Sequence, residues 1–445
     1  MEQSLEKQCV GCAISSYYTV LSIEKFLPIM HAGSGCIRNG GPLMGAQNGS
    51  QQGVGFSEGL MPSSNLVDVD IVFGGEKKLK KVIDKSLEYY DADAYVVLAG
   101  CVAAIIGDDL EEIERSYEDA EKPVLVTEVA GFKGNNIFGH EQVVKKIIDS
   151  LCVKSDKINP KQVNVWGIIP YYDPFWAGTY DAIEKMLTEL GFEPNIIYGK
   201  GRGIKNIRKI PEAAFNLVLS PWWELNIAKH LKTKFGTPIF HYPVLPIGPT
   251  ETTKFLRALK EYANLDESLI EDYIKKNEDK YYYYIEKGIS LLCDAKVLPK
   301  RFLTIANSTY ALSSAKYLIN DLGLIPEKQY LSDDVPAKYQ QLIIDEYQNF
   351  DGGITAEVEF QADVGKALDD VRKLREEHER VNPPVLFGSL WNDVEARRWK
   401  TDSIHISAPV GNVVILNKTY FGYSGGLTFF EDYYSVIAKR FGDEL

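Results

Sequence analysis

Ala94-Tyr95-Val96-Val97-Leu98 is an apolar run without polar alternation, and it leads straight into Ala99-Gly100-Cys101. A strand with one wet face alternates apolar and polar residues, so an unbroken run needs cover on both faces. Similar runs recur at Pro123-Val124-Leu125-Val126-Thr127, Asn164 to Pro170, Phe215 to Ser220, Pro238-Ile239-Phe240, Arg301 to Ala306, Glu357 to Phe360, Pro384 to Gly388 and Ile404 to Ser407. Val69-Asp70-Ile71-Val72-Phe73, ending in Gly74-Gly75, reads as another buried strand, and so does Asn195-Ile196-Ile197-Tyr198. Between the runs lie stretches of helical spacing, such as Leu79, Val82, Ile83 and Leu87. Strands alternating with helices specify parallel sheets with helices on both faces. The 445 residues suffice for several such units. The expected fold is α/β, with three doubly wound (Rossmann-like) parallel-sheet domains spanning 1–157, 158–297 and 298–445.

Sites in such sheets form beyond the carboxyl ends of the strands. Three loops of the first unit carry cysteine: Cys9-Val10-Gly11-Cys12, His31-Ala32-Gly33-Ser34-Gly35-Cys36 and Ala99-Gly100-Cys101. Free cysteine is often a small core residue. Here Cys36 and Cys101 each follow a glycine, whose bare backbone can approach a bulky inorganic group. Soft anionic ligands gathered from distant loops are what an iron–sulfur centre requires. Six cysteines are too sparse for a disulfide scaffold, so they read as thiols or metal ligands. Cys152 and Cys293 read as core. Asp108-Asp109 stands where a helix through Tyr117 begins and reads as its cap. His31, alone beside glycines, reads as a hydrogen-bonding residue that orients its loop. The run Tyr281 to Tyr284 reads as packing, with hydroxyls reaching water.

The composition, 45% hydrophobic and 25% charged, is that of a soluble globular protein. A formal net charge of −13 argues against a nucleic-acid or anionic-membrane partner. No apolar run has membrane-spanning length and no apolar signal core precedes Cys9, so the expected location is cytoplasmic. No unit opens with GxGxxG and no GxxxxGK(S/T) loop occurs, so nothing looks built to bind a dinucleotide or hydrolyse ATP. The glycine-rich segment from Asn39 to Gly59 lacks apolar periodicity and reads as an ordered loop or interface segment.

Several motifs together carry a resemblance. They are Pro28-Ile29-Met30-His31 to Gly35-Cys36, Val72-Phe73-Gly74-Gly75, Cys101 to Ile106-Gly107-Asp108-Asp109, Gly131-Phe132-Lys133-Gly134, Asn307-Ser308-Thr309-Tyr310 and Gly422-Tyr423-Ser424-Gly425-Gly426. As a set, and nearly end to end, the chain resembles nitrogenase component 1 and the nitrogenase-like reductases. The resemblance implies three doubly wound domains per subunit and an α2β2 tetramer. It implies an electron-relay iron–sulfur cluster at each αβ interface, bound by three cysteines from each subunit. Electrons would come from a separate homodimeric, ATP-dependent iron protein with its own 4Fe-4S cluster. Carried over to this sequence, the ligands are Cys12, Cys36 and Cys101. Cys12 is preferred to Cys9 because its distance to Cys36 is close to the family spacing. The set fits a P-cluster-like 8Fe-7S centre shared with α, or a 4Fe-4S centre with a fourth ligand from elsewhere.

The catalytic α subunit of the family holds its active-site cofactor through a cysteine and a histidine. Those positions fall here at Ser220 and Phe421, neither of which ligates iron. The chain therefore resembles a β-type subunit with no catalytic residue of its own. Ser34 before Gly35-Cys36, and Gly131 at the family's β-subunit serine that can bind the oxidised cluster, depart from true nitrogenase. These departures favour a nitrogenase-like reductase such as methylthio-alkane reductase, which cleaves carbon–sulfur bonds. The alternatives are a vanadium or iron-only nitrogenase, a non-catalytic scaffold for cofactor assembly, and a tetrapyrrole-type reductase.

Overall fold

The structure, a computed structural model, describes residues 6–7, 11–36, 61–295, 300–377, 383–411 and 413–444. The segment Asn39 to Gly59, Cys9 and the side chain of Cys293 lie outside the described residues. The fold is α/β, built on three parallel sheets of Rossmann type.

The first sheet joins Phe26–His31, Ala94–Ala99 and Val124–Glu128 in parallel, and the first two of these strands are buried at every residue. Side chains alternate between its faces. Leu27, Ile29, Tyr95, Val97, Val124 and Val126 pack with Leu79 and Ile83 of the helix Glu76–Tyr89. Phe26, Met30, Val96, Leu98 and Leu125 belong to the main core, with Val143, Val144, Ile147 and Ile148 of the helix Asn136–Leu151. Unbroken apolar runs thus arise because both faces are covered.

The second sheet orders Glu193–Asn195, Asn159–Trp166, Ala213–Leu219 and Ile239–Tyr242, all parallel. The third places Arg301–Ala306 between Gln329–Leu331 and Val385–Gly388, with Val358–Phe360 and Ser403–His405 outside them. A short parallel pairing of Ile23–Glu24 with Gly199–Gly203 ties the first unit to the second.

Two expected strands are corrected. Asp68–Phe73 is a helix, and Val69, Ile71, Val72 and Phe73 are exposed rather than buried. The Asp70 carboxylate accepts from the Val67 N–H at 2.8 Å and pairs with Lys78 at 2.8 Å, so acidic residues start a helical turn there. The strand expected from Asn195 to Tyr198 ends at Asn195, whose amide side chain donates to the Asn164 side-chain oxygen at 2.9 Å and to the Asn206 backbone carbonyl at 3.1 Å. The long helical stretch after Gly248 is two helices, Gly248–Ala263 and Glu267–Ala295, parted at left-handed Asn264. On the second, Tyr281 is buried against Tyr317, hydroxyl to hydroxyl at 2.8 Å, while Tyr282, Tyr283 and Tyr284 are half exposed. Among the described residues no helix is long and apolar enough to cross a membrane.

Candidate functional site

The three cysteine loops leave or adjoin the carboxyl edge of the first sheet, where the fold leaves room for a site. Cys101 follows Ala99 and Gly100 and opens the short helix Cys101–Ile106. Gly131 lies three residues beyond Glu128, the end of the third strand. Its N–H points at the Cys101 sulfur at 3.1 Å. A Cβ on Gly131 would fall 2.5 Å from the Cys12 sulfur and 3.6 Å from the Cys101 sulfur. Both thiols therefore face one glycine, and a side chain there would have to turn the Cys12 sulfur aside.

Cys12 is held by a local staple. Its backbone pairs with Asn135 in an antiparallel bridge. The Gly11 N–H donates to the Asn136 side chain at 2.9 Å, and the Asn136 N–H donates back to the Gly11 carbonyl at 3.0 Å. Asn135 caps the helix Asn136–Leu151 by accepting from the N–H groups of Ile137 and Phe138. At Gly139 an added Cβ would lie 2.2 Å from the Ala13 carbonyl, so glycine lets the turn after Cys12 rest on that helix. The sequence reading missed this staple, although an Asn-Asn pair ahead of an apolar helix is a recognisable start signal.

Cys36 is set by the loop after Phe26–His31, its N–H bonded to the Gly33 carbonyl at 3.1 Å. His31 anchors the root of that loop. Its Nδ1 meets Ser64 Oγ at 2.9 Å and its Nε2 meets Asp108 Oδ2 at 2.8 Å, with both His31 and Asp108 side chains buried. Burial holds the imidazole below its ordinary pKa, against the pull of the Asp108 carboxylate. The other Asp108 oxygen accepts from the Gly75 N–H at 2.8 Å. Asp108 thus ties three loops together, and capping falls to Asp109, which accepts from the Glu112 N–H at 2.9 Å.

The Cys36 thiol has its pKa pushed up by burial, and further by negative charge on Cys12 and Cys101. As thiolates the three would repel one another, and iron ions among them would relieve that repulsion. The rim is open. Cys12 is exposed, and Cys36 and Cys101 are partly so. Among the described residues, no three His, Cys, Asp or Glu side chains are placed to hold a single ion. An open arc of thiols suits a multi-iron group completed from another chain better than a closed mononuclear site. Beside Cys12 opens a cleft of about 730 Å³, bordered by Gly131 and Phe138, by Trp222 of the second unit and by Pro336 of the third.

The other described cysteine and the two family cofactor positions are core. Cys152 is buried, its thiol donating to the Ile207 carbonyl at 3.1 Å. Ser220 is buried with its hydroxyl donated to the Trp223 carbonyl at 2.7 Å, and Phe421 is buried too. Sequence reasoning also missed a buried junction. Glu224, left-handed at φ 57°, takes His140 Nε2 at 3.0 Å, the Tyr198 hydroxyl at 2.9 Å and the Gly167 N–H at 2.6 Å. His140 also meets Thr19 at 2.8 Å.

The chain is 26% identical over 385 residues to the B subunit of light-independent protochlorophyllide reductase from Trichormus variabilis, covering 82% of this chain and 71% of that one. It is 22% identical over 407 residues to the protein of the same name from Leptolyngbya boryana, covering 86% and 75%. Among solved structures, "Nitrogenase Cp1 at pH 6.5" superposes with a TM-score of 0.80 at 19% identity, covering 100% of this chain and 96% of that chain. The sequence profile of "Nitrogenase component 1 type Oxidoreductase" matches residues 12–438, and the chain belongs to that family as a β-type subunit.

Proposed function

We propose that this chain is the electron-relaying β-type subunit of a nitrogenase-like reductase, holding its share of an iron–sulfur centre through Cys12, Cys36 and Cys101. The observation that carries the reading is the convergence of two thiols on one glycine: the Cys12 and Cys101 sulfurs would lie 2.5 and 3.6 Å from a Cβ at Gly131. A bound P-cluster-like 8Fe-7S or 4Fe-4S centre would supply one-electron storage at the interface with an α-type subunit. The chain's own part is to fix three thiolates, orient their loops through His31 and Asp108, and leave the rim open to the partner. Electrons are expected from an ATP-dependent iron protein, and substrate chemistry from the α-type subunit of an α2β2 complex.

Two substrate classes follow. The departures from true nitrogenase around Cys36 favour a nitrogenase-like reductase, for which reductive carbon–sulfur cleavage is one reaction, and the similarity to the B subunits of protochlorophyllide reductase supports reduction of a tetrapyrrole. Turnover of a methylthio-alkane or of protochlorophyllide by the complete complex separates them. The chain alone is expected to reduce neither, with dithionite or with iron protein and ATP, and adding the loaded α-type subunit should restore activity. Turnover by the isolated chain would sink the β-subunit reading.

Gly131→Ala tests this convergence. The new methyl displaces the Cys12 sulfur, so iron in the anaerobically purified complex should fall about tenfold, the scale seen when groups that orient metal ligands are removed. Full iron content in this variant would be contrary to the proposal. Cys12→Ala should lose iron while Cys9→Ala keeps it, and the opposite pattern would move the ligand to Cys9.

A further inference from the structure

Two of the three thiols on the open rim stand closer to each other than iron ligation alone requires. Measured from the point where a Cβ on Gly131 would fall, the Cys12 sulfur is 2.5 Å away and the Cys101 sulfur 3.6 Å. The two sulfurs are therefore at most about 6 Å apart. The next atom from that point is the Cys12 Cβ at 3.9 Å, and no atom of Cys36 comes nearer than that. Residue 131 has no side chain to stand between the pair. Both sulfurs are free thiols, Cys12 exposed and Cys101 partly so. A dissolved oxidant thus reaches Cys12 directly, with Cys101 behind it. An accessible thiol beside a second one that can resolve it is the arrangement found in redox-responsive pairs. Bonding needs the sulfurs at about 2.05 Å, and side-chain rotation supplies such closure.

We infer that Cys12 and Cys101 form a redox latch: in the metal-free chain a disulfide oxidant such as oxidised glutathione joins them, and the closed pair keeps iron out. The second half rests on both residues being ligands, as proposed above. The Cys12 thiolate attacks one sulfur of oxidised glutathione and expels one glutathione thiolate. Cys101 then attacks the Cys12 sulfur of the mixed disulfide and expels the second. The chain gives up two electrons and two protons, and one glutathione disulfide becomes two glutathione thiols. Iron takes thiolates, and a disulfide sulfur carries no such charge, so latch and cluster exclude each other. Insertion of the centre is thereby tied to a reducing thiol pool.

The full chain, freed of metal, is incubated with oxidised glutathione, its remaining thiols are alkylated, and its peptides are mapped by mass spectrometry. Two of the six thiols should disappear, in one peptide pair joined through Cys12 and Cys101, and dithiothreitol should restore both. Cys36→Ala should form the same link and Cys101→Ala should not. Oxidised and reduced chains are then each offered iron, sulfide and the α-type subunit without oxygen or added thiol. The oxidised chain should take up about tenfold less iron, the scale of a damaged ligand set, and recover after reduction. No link, or one joining Cys12 to Cys9 or Cys36 instead, overturns the latch, and normal loading of the reduced chain then leaves the cysteine assignment standing. A Cys12–Cys101 link that leaves iron uptake unchanged also overturns it. A reduced chain that takes up no iron overturns the latch and the cluster reading together.

Discussion

Cys36→Ala or Cys101→Ala is expected to empty the relay site. A methyl group cannot donate electron density to iron, and neither remaining cysteine can reach round to replace the lost thiolate, because each is fixed by its own loop. Cys36 is tied to Gly33, and the Cys101 sulfur faces the Gly131 N–H. Removing a group that merely orients a ligand costs about 10–100-fold in metal affinity, and removing the ligand itself should cost at least that. Iron per αβ unit, counted after anaerobic purification, should drop to the background of a protein without a cluster, and its EPR signal should go with it. Both variants should still fold, since Cys36 and Cys101 are only partly buried. Unchanged iron in the two variants would remove the basis for the proposed function.

Glu224→Ala is expected to give the largest loss of stability. The carboxylate is wholly buried and accepts from His140, Tyr198 and the Gly167 backbone. Alanine leaves all three without their acceptor in a place water does not reach. Breaking one partner out of a buried hydrogen-bonded pair costs about 3–5 kcal/mol, and a three-way hub belongs in that range. Because His140 sits on the helix Asn136–Leu151 that also staples Cys12, the site should loosen as well. Thermal melts and iron content of the variant complex report the two effects, and Glu224→Gln, which keeps one acceptor oxygen, should fall between. A Glu224→Ala complex as stable as its parent would show that the hub is replaceable by solvent.

The two regions differ in how far they could be read from residues alone. Arg301–Ala306 reads as a strand and is one with the same limits, because a run buried on both faces needs nothing but local composition to announce itself. Val69 to Phe73 offers the same kind of run and is a helix. A short apolar run does not distinguish strand from helix, and here Asp68 and Asp70 decide by favouring a helical first turn. The placement of Cys36 and Cys101 in loops beyond strands was legible from their glycines and the runs before them. The approach of Cys12 and Cys101 to Gly131 was not, since it depends on the return of the third strand beside the second. The Glu224 junction was invisible for the same reason. Glu224 acts on residues 84 and 57 positions away, and a glutamate after two tryptophans carries no signal of that.

The exposed helix Asp68–Phe73 bears on how a cell must make this protein. Phe73 is 83% exposed and Val72 73%, and Ile105 stands out on the helix that Cys101 opens, at 73%. Apolar surface gathered in one place drives self-association when nothing covers it. A chain released with this surface uncovered is therefore expected to self-associate as its concentration rises. On the proposed αβ reading, balanced synthesis of the two subunits becomes part of the requirement for a working complex. In a recombinant host the proposed reading makes the yield of soluble chain a function of partner dosage, rising as an α-type subunit is expressed alongside it.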